Sequence, residues 1–171
     1  MKNDIKIIEK EIGYVIEIEE KVSMFKMPKL LGQNYKSIFA YFAEKNIKES
    51  GDTMPYTRYL DIEWEKQMKR GAIGNIVDAF TKKWHFQVGV PSTKKLDSKE
   101  RMISNKISNK KYIRTMHYGP YQKVGETYKI MWEFAQDNNL KLENESIEHY
   151  LNDPSTVSKD KIETEVLIGI K

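Results

Sequence analysis

The segment GQNYKSIF, beginning at Gly32, returns as GETYKIMW beginning at Gly125, 93 residues later. Both carry Gly-x-x-Tyr-Lys and, just beyond, an apolar residue followed by an aromatic one. At the same offset Leu31, Tyr35, Ile38, Phe39 and Phe42 fall on Val124, Tyr128, Met131, Trp132 and Ala135. Each set advances by four, three, one and three residues, which draws one apolar stripe along an α-helix. The residues leading into the two helices also align without a gap, SMFKMPKLLG over MHYGPYQKVG.

Working outward, Tyr59-Leu60-Asp61 follows the first helix much as Tyr150-Leu151-Asn152 follows the second. HFQVGV, from His85, and EVLIGI, from Glu165, supply a closing β-rich segment for each half. The pattern therefore predicts two strand–helix–strand–strand units within a single domain spanning 1–171. In the first, strands lie near 12–24, 55–60 and 84–90, with a helix near 30–46. In the second, strands lie near 111–118, 146–151 and 163–170, with a helix near 121–138. The first repeat occupies about 5–91, a basic linker about 92–110 and the second repeat about 111–171. Neither unit can cover both faces of its own short sheet. Side-by-side pairing about an approximate twofold axis gives an α+β fold with one antiparallel sheet, both helices on one face and a trough on the other. The first unit carries an additional stretch, DIEWEKQMKRGAIGNIVDAFTKKW from Asp61, with breakers at Gly71 and Gly74 and apolar Ile73, Ile76, Val77 and Phe80. It reads as a short helix between hinges over 61–83, either a surface decoration or a lid.

Composition removes many functions. The 171 residues contain no cysteine, so disulfides, thiolate metal sites and thiol nucleophiles are out. No apolar run approaches the ~20 residues that span a bilayer, and the charged N-terminus is unlike a signal peptide; a cytoplasmic setting is expected. The net charge of +4 is unevenly spread. Between Lys94 and Arg114 eight basic residues face two acidic ones, whereas between Glu133 and Glu165 nine acidic residues face three basic ones. The basic stretch reads as a solvated linker rather than a phosphate-binding surface. His85, His117 and His149 are too scattered to argue for a metal. No nucleophile elbow, phosphate-binding glycine loop or dinucleotide fingerprint occurs, so no cofactor is expected.

What remains is IEHYLNDP, from Ile147. In a strand Glu148 and Tyr150 point one way, and Ile147, His149 and Leu151 the other. With Ile147 and Leu151 towards the helices, Glu148 faces the trough. A carboxylate there is costly to bury without a partner. Tyr56, Tyr59, Trp64, Tyr118, Tyr121 and Tyr150 are the candidate aromatic walls, able to add cation–π attraction of about 0.5–2 kcal/mol per good contact. Phe39 and Trp132 belong to the core stripe.

Tyr118-Gly119-Pro120-Tyr121, a helix, IEHYLNDP and a closing ETEVLIGI together resemble the GyrI-like small-molecule-binding family, which also serves as the effector domain of multidrug-sensing transcription regulators. The resemblance implies paired repeats with drug-like, often cationic or aromatic, ligands in the central trough. It places the family's signature acidic residue at Glu148 and a neighbouring aromatic at Tyr150. The first repeat starts close to Met1, which leaves no room for a helix-turn-helix, so direct DNA binding is not expected. Two other functions stay open. Some relatives resemble hydrolases of electrophilic genotoxic compounds, in which Glu148 would activate water. A protective role on a protein partner such as gyrase would use the basic stretch.

Overall fold

The structure, a computed structural model, describes residues 4–47, 54–69 and 82–171. Eight strands form one sheet: β1 Lys6–Lys10, β2 Gly13–Ser23, β3 Tyr56–Tyr59, β4 Lys83–Ser92, β5 Ile103–Ile107, β6 Lys110–Tyr118, β7 Leu142–Tyr150 and β8 Glu163–Ile170. Helix α1 spans Met27–Glu44, α2 Trp64–Met68 and α3 Val124–Asp137. All pairings are antiparallel, in the order β1-β6-β8-β7-β3-β4-β2-β5. This is the α+β architecture expected, and the order is palindromic. Reading outward from the β3–β7 pair, each half presents its hairpin strands and then its helix-leading strand.

The two long helices end alike. Asn46 and Asn139 both take the left-handed conformation, at φ 53° and 55°. Ile47 N–H then donates to Phe42 O and Leu140 N–H to Ala135 O, the backbone closure of a Schellman-type stop. Asparagine tolerates that conformation better than other residues with a β-carbon. All three pairs, 46/139, 47/140 and 42/135, keep the offset of 93 seen in the helix stripes.

Two strands lie outside the sequence expectation, and they change the picture. β5 lies inside what reads as a linker, and β1 precedes the first predicted strand. Each edges the opposite half: β1 pairs with β6 (Lys6 opposite Arg114) and β5 with β2 (Gly13 opposite Ile107). The unit boundaries near residues 91 and 111 are therefore crossed in both directions. The basic stretch is also largely neutralised in place. Lys99 pairs with Glu44, Arg101 with Glu20, Lys106 with Glu11, Lys110 with Glu143 and Glu145, and Arg114 with Glu165.

Only Glu11 and Ile12 connect β1 to β2, yet those strands are six places apart in the sheet. Two residues reach at most about 11 Å, whereas six strand spacings in a flat sheet cover about 29 Å. The sheet must therefore curl. Its inner face carries Val15, Tyr56, Ile107, Tyr112, Ile147 and Leu167, an apolar cluster drawn from strands alone. The outer face carries α1 over Ile16, Ile18, Phe86, Val88 and Val90, and α3 over Ile113, Val166 and Ile168.

The curl also sets local packing. The Tyr56 ring crosses Gly89 so that its hydroxyl donates to Glu17 Oε1 at 2.8 Å. A β-carbon on residue 89 would lie 2.2 Å from Cζ of Tyr56. Gly89→Ala is expected to cost about 1–3 kcal/mol in chemical denaturation, as overpacking does. Added to Tyr56→Ala, where the ring is gone, the same change should cost much less; equal costs in both backgrounds would show that the ring contact is not the cause.

Candidate functional site

One row of directly paired residues crosses six strands on the helix face: Ile18, Val88, Thr57, Glu148, Val166 and Thr115. All are buried, and Glu148 is the only ionisable member, at 3% exposure. Thr57 and Glu148 stand opposite one another at the centre of the palindrome. Since α1 packs over β2 and β4 and α3 over β6, the seam between β3 and β7 lies between the helices. Glu148 thus points to the helix side, the reverse of the sequence reading. The reason is the curl: it gives Ile147 an enclosed apolar cluster on the inner face, so Ile147 needs no helix to cover it.

Hydroxyl groups surround the carboxylate. Tyr128, on α3, donates to Glu148 Oε1 at 2.8 Å and lies 3.0 Å from Ser146 Oγ. Tyr150 lies 3.3 Å from Glu148 Oε2 and 3.0 Å from Thr57 Oγ1. Tyr35, on α1, reaches the same Thr57 oxygen at 3.3 Å. Among the described residues no Lys, Arg or His forms an ion pair with Glu148. Burial pushes its carboxyl up to about 7, against the opposing pull of the Tyr128 and Tyr150 hydrogen bonds. Burial, aided by the nearby Glu148 charge, also raises the hydroxyls of Tyr59, Tyr128 and Tyr150, so all three remain donors.

Rings close the seam. Tyr121 meets Tyr150 edge-on at 5.4 Å between centroids, and Tyr35 meets Tyr150 likewise at 6.5 Å. Trp64, the first residue of α2, lies 5.7 Å from Tyr128 and donates its indole N–H to Glu143 O at 2.6 Å. Tyr59 packs edge-on against Trp84 at 6.2 Å and tilted against Phe86 at 6.3 Å. Of the six aromatic candidates, Tyr59, Trp64, Tyr121 and Tyr150 share this face with Glu148. Tyr56 and Tyr118 do not. Tyr56 is on the inner face bonded to Glu17, and Tyr118 is 57% exposed with its strand parity on that same inner side. Tyr35 and Tyr128 belong to the site as well as to the helix stripe. Their signal was present in sequence, since a buried tyrosine hydroxyl needs a partner.

Two surface hollows lie elsewhere, one bounded by Lys21, Asp61, Lys83 and His85 and the other by Asp61, Lys110, Glu143 and Glu145. Among the described residues no group of three or more His, Asp or Glu side chains is placed to hold a metal, and no helix is long and apolar enough to cross a membrane. Of the stretch over 61–83, read as either a surface decoration or a lid, α2 is seen; Gly71, Ile73, Gly74, Ile76, Val77 and Phe80 lie outside the described residues.

The raised Glu148 carboxyl has a consequence for stability. The folded state holds this proton more tightly than the unfolded chain, whose carboxyl titrates near its ordinary value of 4.5. Its contribution is therefore fully present below that value, is lost as pH rises towards about 7, and is flat above. Glu148→Gln imitates the protonated form and should remove that slope. At pH 8 the variant should exceed the parent by on the order of 1–3 kcal/mol, and at pH 4 the two should converge. Denaturation curves at several pH values check this; a constant difference across the range would contradict it.

Comparison with known proteins agrees with this fold. The GyrI-like small molecule binding domain matches residues 4–171. The C-terminal domain of EcmrR is 15% identical with a TM-score of 0.72, covering 100% of this chain and 99% of that one. EcmrR in its DNA complex is 16% identical with a TM-score of 0.74, covering 98% of this chain, which spans only 57% of that one. A hydrolase encoded by lin2189 from Listeria innocua is 13% identical, TM-score 0.62, covering 97% and 92%. SAV2435, solved bound to tetraphenylphosphonium, is 12% identical, TM-score 0.55, covering 100% and 94%. At such identities the likeness is one of fold. A search of curated proteins gives no match. The family match extends over nearly the entire sequence, and the chain belongs to the GyrI-like small-molecule-binding family.

Proposed function

We propose that the chain binds small aromatic cations in the seam between α1 and α3, with Glu148 as the anchor and Tyr35, Tyr59, Trp64, Tyr121, Tyr128 and Tyr150 as the walls. The observation that carries this reading is a buried carboxylate whose partners among the described residues are hydroxyls. Its ionised form lacks a compensating charge, so a cation entering the seam relieves a standing electrostatic cost. Aromatic faces around it favour a delocalised positive charge. The rings fill the seam in this state, so entry requires Tyr150 or Trp64 to turn aside.

Binding should be coupled to pH. A permanent cation such as tetraphenylphosphonium cannot titrate, so any dependence belongs to the protein. With a carboxyl near 7, affinity should rise about tenfold from pH 6 to pH 8 as the ionised fraction grows. In titration calorimetry at pH 8, Glu148→Gln should weaken that probe by about 1–3 kcal/mol, the scale of a charge-assisted contact. Neutral triphenylphosphine oxide should be nearly unaffected. Equal affinity of parent and variant for the cation would reduce Glu148 to a structural residue.

A second reading is supported by the same carboxyl. A glutamate near neutrality beside tyrosine donors is suited to general acid–base work, and one structural relative is a hydrolase. Here Glu148 activates water against an electrophilic substrate. Turnover lost in Glu148→Gln with substrate binding retained would favour it over simple binding.

A further inference from the structure

We propose that Thr57 sets the charge number of the ligand, making the seam selective for a molecule with one positive charge between aromatic arms rather than for a dication. The inference rests on the reading of the seam as a cation site and adds which cations it takes.

The argument comes from the twofold character of the frame and the single character of its charge. Thr57 and Glu148 are cross-strand partners at the centre of the palindrome and lie 91 residues apart. Tyr59 and Tyr150 keep the same spacing, two residues beyond each. Tyr35 and Tyr128 occupy equivalent places on α1 and α3. One reaches Thr57 and the other Glu148, at 3.3 and 2.8 Å. On the outer side of each central residue stands a fully buried valine, Val88 beside Thr57 and Val166 beside Glu148. Tyr150 bridges the pair, touching both Thr57 Oγ1 and Glu148 Oε2. Four of the six walls are therefore paired across the two halves, and the carboxylate is not. Thr57 meets the Tyr35 and Tyr150 hydroxyls in its half, as the carboxylate meets those of Tyr128 and Tyr150 in the other.

A dication would satisfy Glu148 with one charge and bury the other against a threonine, which supplies no counter-charge. A glutamate at 57 would place two carboxylates at adjacent cross-strand positions, whose β-carbons sit about 4.5–5.5 Å apart. The two would share a proton when empty and accept two positive charges when filled. Since the frame is twofold, the charge is also transferable: a glutamate at 57 with a threonine at 148 should rebuild the same site facing the other way. That exchange conserves the summed side-chain volume at the centre.

The test uses two probes with one biaryl frame, biphenyl-3,5-dicarboxamidine, whose two charges are spaced like cross-strand β-carbons, and its mono-amidine, biphenyl-3-carboxamidine, titrated at pH 8 by calorimetry. The parent should bind the mono-amidine at least tenfold more tightly than the diamidine. Glu148→Thr should lose at least tenfold for the mono-amidine. Thr57→Glu should invert the preference towards the diamidine. The double exchange, Thr57→Glu with Glu148→Thr, should return mono-amidine affinity to within about fivefold of the parent. A double variant that melts cooperatively yet binds as weakly as Glu148→Thr would overturn the proposal. So would a parent that binds both probes equally, a comparison that needs no variant to fold. Failure of the parent to bind any cation would instead remove the cation-site reading itself, and this inference with it.

Discussion

Glu11 and Ile12 are all the chain has for passing from one margin of an eight-stranded sheet to a strand beside the other, and Ser108 and Asn109 repeat the constraint between β5 and β6. A flat sheet cannot meet it. Curling brings the margins together and encloses the inner face, which then fills with Val15, Tyr56, Tyr112, Ile147 and Leu167 without help from a helix. Both helices are left for the outer face. Once they pack over the flanking strands, the rings of Tyr35, Tyr128, Tyr150 and Tyr121 meet over the central β3–β7 seam among the described residues. A carboxylate at the middle of that seam is desolvated by rings, and rings can move where a helix could not. The chemistry of Glu148 thus follows from the shortness of two connections far from it.

The energetic situation of Glu148 is unlike that of Glu17, also a buried carboxylate. On the inner face Glu17 accepts from Tyr56 and Asn105 and lies 3.7 Å from the Arg58 guanidinium. That arrangement is complete within the protein and braces the curl. Glu148 has two tyrosine donors and, among the described residues, no cation, so its ionised form is the less settled of the two. Proteins retain such groups where a second molecule supplies what is missing, and perturbed carboxyls gather at functional sites for that reason.

Much of this was legible in the sequence. The paired stripes anticipated α1 and α3, and the alternation in IEHYLNDP singled out Glu148 and Tyr150. The offsets of 93 along the helices and 91 at the hairpins reappear as matched helix stops and as the Thr57–Glu148 pair. Less legible was anything set by the curl. β1 and β5 are five-residue strands, KIIEK and ISNKI, with three polar residues each, and such short mixed segments read as linker until a distant strand claims them. The face of Glu148 was reversed because a flat sheet offers Ile147 no cover except a helix. Tyr56 was misplaced although alternation along β3 sets it on the face opposite Tyr59; there its neighbour across the ladder, Gly89, leaves room for the ring.

The exchange of outer strands also bears on how the chain acquires its structure. β1 is made early, yet Lys6 must find Arg114, more than a hundred residues on. The first half cannot finish its own sheet during synthesis. Its leading strand waits without a partner, and β2 waits for β5. Contacts so distant in sequence close large loops before they return any stabilisation, which slows folding. Lys6, Glu9 and Lys10 of β1, and the lysine and asparagine of β5, keep these waiting edges polar and discourage pairing between nascent chains.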